Sequence, residues 1–199
     1  MILLFKKKGL LRFLSAIETS NAIVRTLLRS GMKIQYSEGF HPKPRVSFLD
    51  TVATGVVDLA LYVNVKLEHE ASDLDIESWK GIIRNVAVQG LELVEIFPSD
   101  INLNEIVTSY EYLLFSREPL DLNRPVQKHS GKLFIPAEMM NRYELILKNG
   151  LYVVKYTIER QKIFNPYLID GVFLAVRTKA FYGTVELREF LTKNGGKIP

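Results

Sequence analysis

Residues 59–67, Leu-Ala-Leu-Tyr-Val-Asn-Val-Lys-Leu, put Leu59, Leu61, Val63, Val65 and Leu67 on one side of an extended chain. That period of two requires a sheet with a buried face, because successive side chains of a strand alternate between faces. The other elements fall into order around it. Residues 2–7 read as a short strand. Ser15 is placed to cap a helix over 16–30, with Ile17, Val24, Leu27 and Leu28 at helical spacing and Gly31 closing it. Met32 to Tyr36 is β-like, Ser37-Glu38-Gly39 turns the chain, and Val46-Ser47-Phe48 reads as a strand. Ser72 or Asp73 caps a second helix whose buried side is marked by Trp79, Ile82, Ile83 and Val86, and Gly90 ends it. Residues 91–97 form a strand that Pro98 stops.

Strand, helix, strand, strand, helix, strand is the ferredoxin-like plan, so the expected fold is α+β. The first 98 residues form a βαββαβ module, 99–108 a linker, and 109–199 a second, smaller α+β module. In that second half 109–116 and 151–159 read as strands. Pro136 suits the first turn of a helix reaching about 147, while Tyr143–Leu147 can instead pair as a strand across Asn149-Gly150. Residues 161–199 have no assigned fold.

With 47% hydrophobic and 24% charged side chains, the 199 residues can bury a substantial core. No apolar run approaches the roughly 20 residues needed to cross a bilayer. Ile2-Leu3-Leu4-Phe5 precedes Lys6-Lys7-Lys8, which reverses the order of a signal peptide. A cytoplasmic protein without membrane partners is expected. The absence of cysteine excludes a disulfide, an iron–sulfur cluster held by this chain and a thiol nucleophile.

Charge is distributed in blocks. Residues 1–50 hold nine Lys or Arg against three acids, a net +6. Residues 51–110 hold three against ten, a net −7, and 111–199 fourteen against nine, a net +5. A basic N-terminal face attracts phosphate or acidic partners. Within it Tyr36-Ser37-Glu38-Gly39-Phe40-His41-Pro42-Lys43-Pro44-Arg45-Val46-Ser47-Phe48 is the strongest local signal. Its two X-Pro bonds hold 41–44 extended, which places His41, Lys43 and Arg45 on one edge, with Tyr36, Phe40 and Phe48 close by. Cations beside aromatics suit phosphate contact combined with ring stacking. Solvated charges on a loop anchored by its aromatics, or a protein-docking loop, fit the same residues. Arg25 and Arg29, four apart on the first helix, and Arg12 just before it complete the candidate ligand or RNA surface.

Catalytic patterns are absent. His41, His69 and His129 are scattered without metal-ligand spacing, and His69 and His129 read as solvated. Asp73, Asp75 and Glu77 sit where negative charge favours a helix start. Neither metal nor cofactor is expected, and no catalytic residue is assigned.

Arg12-Phe13-Leu14-Ser15, the helix end Leu28-Arg29-Ser30-Gly31, the Tyr36–Pro44 run, Ser47-Phe48 and Thr54-Gly55-Val56 together resemble the signature of an uncharacterised bacterial radical-SAM-linked family. The resemblance covers residues 1–97, including Gly90-Leu91-Glu92-Leu93-Val94, and implies a protein fused to or encoded beside a radical SAM enzyme. The family commonly carries a His after the Ser and an acid two places on; here Ala16 replaces the His, and Glu18 is left for the acid. Three functions follow as expectations. The first is a non-catalytic accessory protein recognising RNA or another phosphorylated ligand beside a radical SAM partner. The second is a protein-docking module for that enzyme. The third is an enzyme with Glu18, His41 and Arg45 around a pocket.

Overall fold

The computed structural model describes residues 1–128 and 130–194. The first half contains β1 (Ile2–Lys7), α1 (Ala16–Arg29), β2 (Val46–Phe48), β3 (Val57–Val65), α2 (Asp73–Val86) and β4 (Leu91–Phe97). β4, β1, β3 and β2 lie side by side in that order, each pair antiparallel. Both long helices begin with a capping box, Ser15 with Glu18 and Ser72 with Asp75, as the sequence around each start allows.

The sheet does not stop there. α3 (Leu103–Ile106) and β5 (Ser109–Ser116) lead into the second half, followed by the small ribbon β6 (Val126–Gln127) and β7 (Leu133–Phe134). Then come α4 (Pro136–Met139), β8 (Met140–Lys148), β9 (Leu151–Glu159), β10 (Val172–Tyr182), β11 (Val185–Glu186) and α5 (Leu187–Asn194). One continuous sheet runs β4-β1-β3-β10-β5-β9-β8. β10, in the stretch left unassigned, is its central strand. It pairs with β3 in parallel through Val176–Val57 and Arg177–Asp58, at the end of β3 that the short β2 leaves free. Pro136 opens a single helical turn, after which Tyr143–Leu147 is strand, closed by Asn149 and Gly150 at φ 52° and 76°.

Alternation along the strands builds two cores. Leu3 and Phe5 of β1, with Leu61, Val63 and Val65 of β3, pack under Ile23 and Leu27 of α1 and Ile76 and Ile83 of α2. Ile2, Leu4, Ala60 and Tyr62 face the other way, into a core shared with Tyr110, Tyr112, Tyr156 and the α5 residues Leu187, Phe190 and Leu191. A strand buried on both faces reads as near-continuous apolar sequence, which accounts for residues 59–63.

Three expectations need correction. The stretch 99–108 is no free linker: Leu103, Ile106 and Val107 are buried, and Asn64 Nδ2 donates to the Ile101 carbonyl at 2.8 Å. α1 buries Thr19, Ile23, Thr26 and Leu27 and leaves Ile17 and Leu28 exposed, because the hydroxyls of Thr19 and Thr26 donate to carbonyls four residues back. α2 buries Ile76 and Ile83; Trp79 is half-buried and Ile82 exposed.

A buried ion pair joins the halves. Arg177, fully enclosed, donates through Nε and Nη2 to both oxygens of Asp58 at 2.9 and 2.6 Å, and through Nη1 to the Asp50 carbonyl at 2.6 Å. Its guanidinium lies 4.8 Å from the Tyr110 ring centroid. Lys7 is buried nearby, its Nζ 3.5 Å from Thr19 Oγ1; burial depresses its pKa, with Asp58 opposing and Arg177 adding to the shift.

Gly90 marks the tightest backbone approach. It sits at φ +93°, and a Cβ there would lie 2.6 Å from the Lys8 carbonyl oxygen, whose own amide is bonded to the Gly90 carbonyl. Gly31 has a similar φ of +80° and open space. Gly90→Ala is therefore expected to lower stability by about 2–3 kcal/mol in urea denaturation, against about 1 kcal/mol for Gly31→Ala. Equal losses would mean that the contact with Lys8 contributes nothing.

Candidate nucleic-acid interface

The basic motif folds as a projecting hairpin. Tyr36 bridges Pro44 as an antiparallel pair, flanked by the bonds Ser37 N to Lys43 O at 2.9 Å and Arg45 N to Gln35 O at 2.7 Å. Pro44 therefore occupies the one place in this ladder that asks for no N–H, which reconciles a proline with strand-like pairing. The Ser37 hydroxyl accepts from the Lys43 amide at 3.0 Å, and Gly39 turns the tip at φ +117°. The base is tied to the two residues after β3 by Gln35 N to Lys66 O, Lys66 N to Arg45 O and the Ile34–Leu67 bridge.

Phe40 stands at the tip with 101% relative exposure, as open as a side chain can be. Tyr36, His41, Lys43 and Arg45 are exposed below it. α1 ends at the same end of the sheet, since Gly31 leads through Met32 to the Ile34–Leu67 bridge, and Arg25 and Arg29 are exposed there, with Arg29 Nε donating to the Arg25 carbonyl. Among the described residues none of these basic groups takes part in an ion pair. Folding adds two cations that sequence reasoning missed, Lys33 and Lys66, both exposed and both bonded through their backbones to this layer. Only tertiary pairing brings Lys66 beside Arg45; no local pattern announces it. Glu38 and Glu68 lie among them, the latter through its amide on the Lys33 carbonyl, and Asp100 and Lys66 both lie near the Met1 amine, which donates to the Val65 carbonyl.

Two proposed groupings come apart. Arg12 lies by Gly55, whose amide donates to its carbonyl, and so sits at the start of β3 while the hairpin sits beyond its end. Eight strand steps separate those ends by roughly 27 Å. Arg12 is half-buried, its guanidinium 4.5 Å from the Phe13 ring centroid and its Nε without a partner among the described residues. Glu18 is likewise remote. It accepts from the Ser15 amide at 2.8 Å as the capping-box acid, which holds its pKa low, and α1 carries it roughly 17 Å from Arg29. Glu18 and His41 therefore share no pocket. Asp75 is also a capping group, accepting from the Ser72 amide and hydroxyl. His69 is exposed, and His129 lies outside the described residues.

A polar cleft elsewhere, about 600 Å³, is lined by Asp50, Asn104, Thr108, Glu159 and Arg160 among others. Its charges are already satisfied. Both Asp50 oxygens accept from Arg160, and Tyr110 Oη donates to Asp50 at 2.7 Å. Burial works against the Asp50 charge, but the bonds from Arg160 and Tyr110 outweigh it and lower its pKa. This arrangement fastens residue 50 to the second half of the chain.

Residues 1–157 match the model of a family described as uncharacterised proteins conserved in bacteria (DUF2344), and the chain belongs to that family. No curated protein and no solved structure matches it. No helix among the described residues is long and apolar enough to cross a membrane.

Proposed function

We propose that this protein contacts single-stranded RNA through the 35–45 hairpin and serves as a recognition partner for a separate radical SAM enzyme. The observation that carries the RNA reading is Phe40, fully exposed at the tip of a hairpin that is pinned by backbone bonds and carries the exposed His41, Lys43 and Arg45. Leaving a Phe in water forgoes about 2 kcal/mol of burial, and a base stacked on it returns about 1–3 kcal/mol. The cations Arg25, Arg29, Lys33, Lys43, Arg45 and Lys66 supply sequence-independent attraction to phosphates. The enzyme partner rests on the family resemblance, and the absence of cysteine means that the cluster of such chemistry lies outside these 199 residues.

Salt-titrated binding to mixed single-stranded RNA tests the hairpin. Neutralising about three to five phosphates gives a log–log slope of roughly −2 to −3.5. Lys43→Ala with Arg45→Ala should flatten that slope by about 1–1.5, whereas Phe40→Ala should weaken binding by roughly 5- to 100-fold and leave the slope unchanged. No binding at low salt, or binding indifferent to the double variant, rejects the reading.

A second reading has its own support. At the opposite end of β3, Leu10, Phe13 and Ile17 are all exposed within eight residues of sequence, which offers apolar side chains for a protein contact. Docking of the radical SAM enzyme there is separable from RNA contact, because Ile17→Glu would break the protein complex and spare RNA affinity.

A further inference from the structure

β8 ends one side of the sheet, and its outer edge has no partner strand among the described residues. Edge strands are normally blunted by proline, a bulge, charged side chains or short length. β8 is nine residues long, its register shift is confined to Met140–Arg142, and the stretch 143–148 has neither proline nor bulge, its two charges, Glu144 and Lys148, being of opposite sign. Leu145 and Leu147 are 65% and 66% exposed, although they lie opposite Val154 and Tyr152, on the face that elsewhere is core.

The segment Glu144-Leu145-Ile146-Leu147-Lys148 is self-complementary when reversed. Placed antiparallel to a second copy about a two-fold axis at Ile146, it sets Glu144 against the partner's Lys148, Leu145 against the partner's Leu147, and Ile146 against its own counterpart. Neither Glu144 nor Lys148 has an ion-pair partner among the described residues. The backbone agrees with this register. The two-residue turn makes Lys148 and Leu151 the closing bonded pair of the β8–β9 hairpin, so alternation turns the peptide groups of Leu147 and Leu145 outward. The two symmetry-related Leu145–Leu147 pairs then exchange both backbone bonds. Neighbouring registers are poorer. Centring on Leu145 opposes Arg142 and Lys148, centring on Glu144 opposes two glutamates, and centring on Tyr143 runs into the bulge.

We propose that β8 is a homodimer interface in which two copies pair antiparallel about Ile146, extending one sheet through both molecules. The surface is independent of the hairpin and its RNA reading. Sedimentation velocity on the full chain, from about 1 to 100 µM, should show a species of twice 22.8 kDa. Glu144→Lys or Lys148→Glu alone opposes like charges at both symmetric positions and should raise the dimer dissociation constant at least tenfold. Glu144→Lys with Lys148→Glu restores opposite charges and should return it to near the wild-type value. Both side chains are exposed; Glu144 also stands opposite Lys155 of its own chain, a change common to Glu144→Lys and the double variant, so their difference reads the dimer contact alone. A wild-type chain monomeric at 100 µM, or a double variant as weak as the singles, overturns the proposal.

Discussion

Arg177→Met should destabilise the protein by about 3–5 kcal/mol, a fall in Tm of roughly 10–15 °C for a chain of this size. The loss comes less from the missing attraction than from what remains. Asp58 is 1% exposed and is left with only its bond from the Ala60 amide and the nearby Lys7 to compensate it. The Asp50 carbonyl also loses its donor. Asp58→Leu should cost at least as much, because it strands two buried cations, Arg177 and Lys7, without their acid. Combining the two substitutions should cost clearly less than the sum, since each removes the charge that the other leaves uncompensated. Urea denaturation of the wild type, both single variants and the double variant reads this coupling directly. Additive losses would show that the pair is not a unit. The prediction matters for the fold because the pair sits on the parallel β3–β10 contact, where two halves distant in sequence meet.

Much of the first half was legible because its signals are local. Capping residues, glycines at helix ends and a period-two strand each need only a few neighbours to act, and Ser15, Gly31 and Ser72 stand where their chemistry places them, whereas Gly90 lies four residues past the end of α2, in the turn before β4. Helix phase was less legible. A buried Thr whose hydroxyl bonds the preceding turn reads as polar, so Thr19 and Thr26 displaced Ile17 and Leu28 from the inner face of α1. β10 was hidden for a related reason: Arg177 and Lys179 interrupt its apolar pattern, and the acid that neutralises Arg177 lies 119 residues away. One trace was present in the sequence. Asp58 follows Val56-Val57 and precedes Leu59-Ala60-Leu61, and a lone carboxylate in such a run implies a buried cation without saying which. The hairpin was readable in character, since Pro42 and Pro44 restrict their neighbours wherever they fall, but its membership was not. Arg12 entered the candidate surface by proximity in sequence to α1, while Lys33 and Lys66 reach it only through the bridges at 34 and 67.

Residues 1–98 expressed alone should fail to fold cooperatively, although they contain a complete βαββαβ order. In the full chain β1, β3 and β4 are covered on both faces, and the second face belongs to the rest of the protein. Cutting at 98 exposes Ile2, Leu4, Ala60, Tyr62 and Phe97 together. At about 1.5–3 kcal/mol for each large apolar side chain, the forfeited burial is roughly 10 kcal/mol, comparable to the whole stability of an ordinary domain. The cut also removes Arg177 from Asp58 and leaves the edge of β3 beside Val57 open. The expected fragment has poorly dispersed amide resonances and no sharp urea transition, and recovers both when residues 99–199 are added in trans. A fragment that unfolds cooperatively by itself, with dispersed amide signals, would show that α1 and α2 suffice to stabilise the four-stranded unit. The β10 half would then be an addition to an autonomous domain. The distinction is physical: it turns on whether one covered face can outweigh the conformational entropy of 98 residues when the other face is left in water.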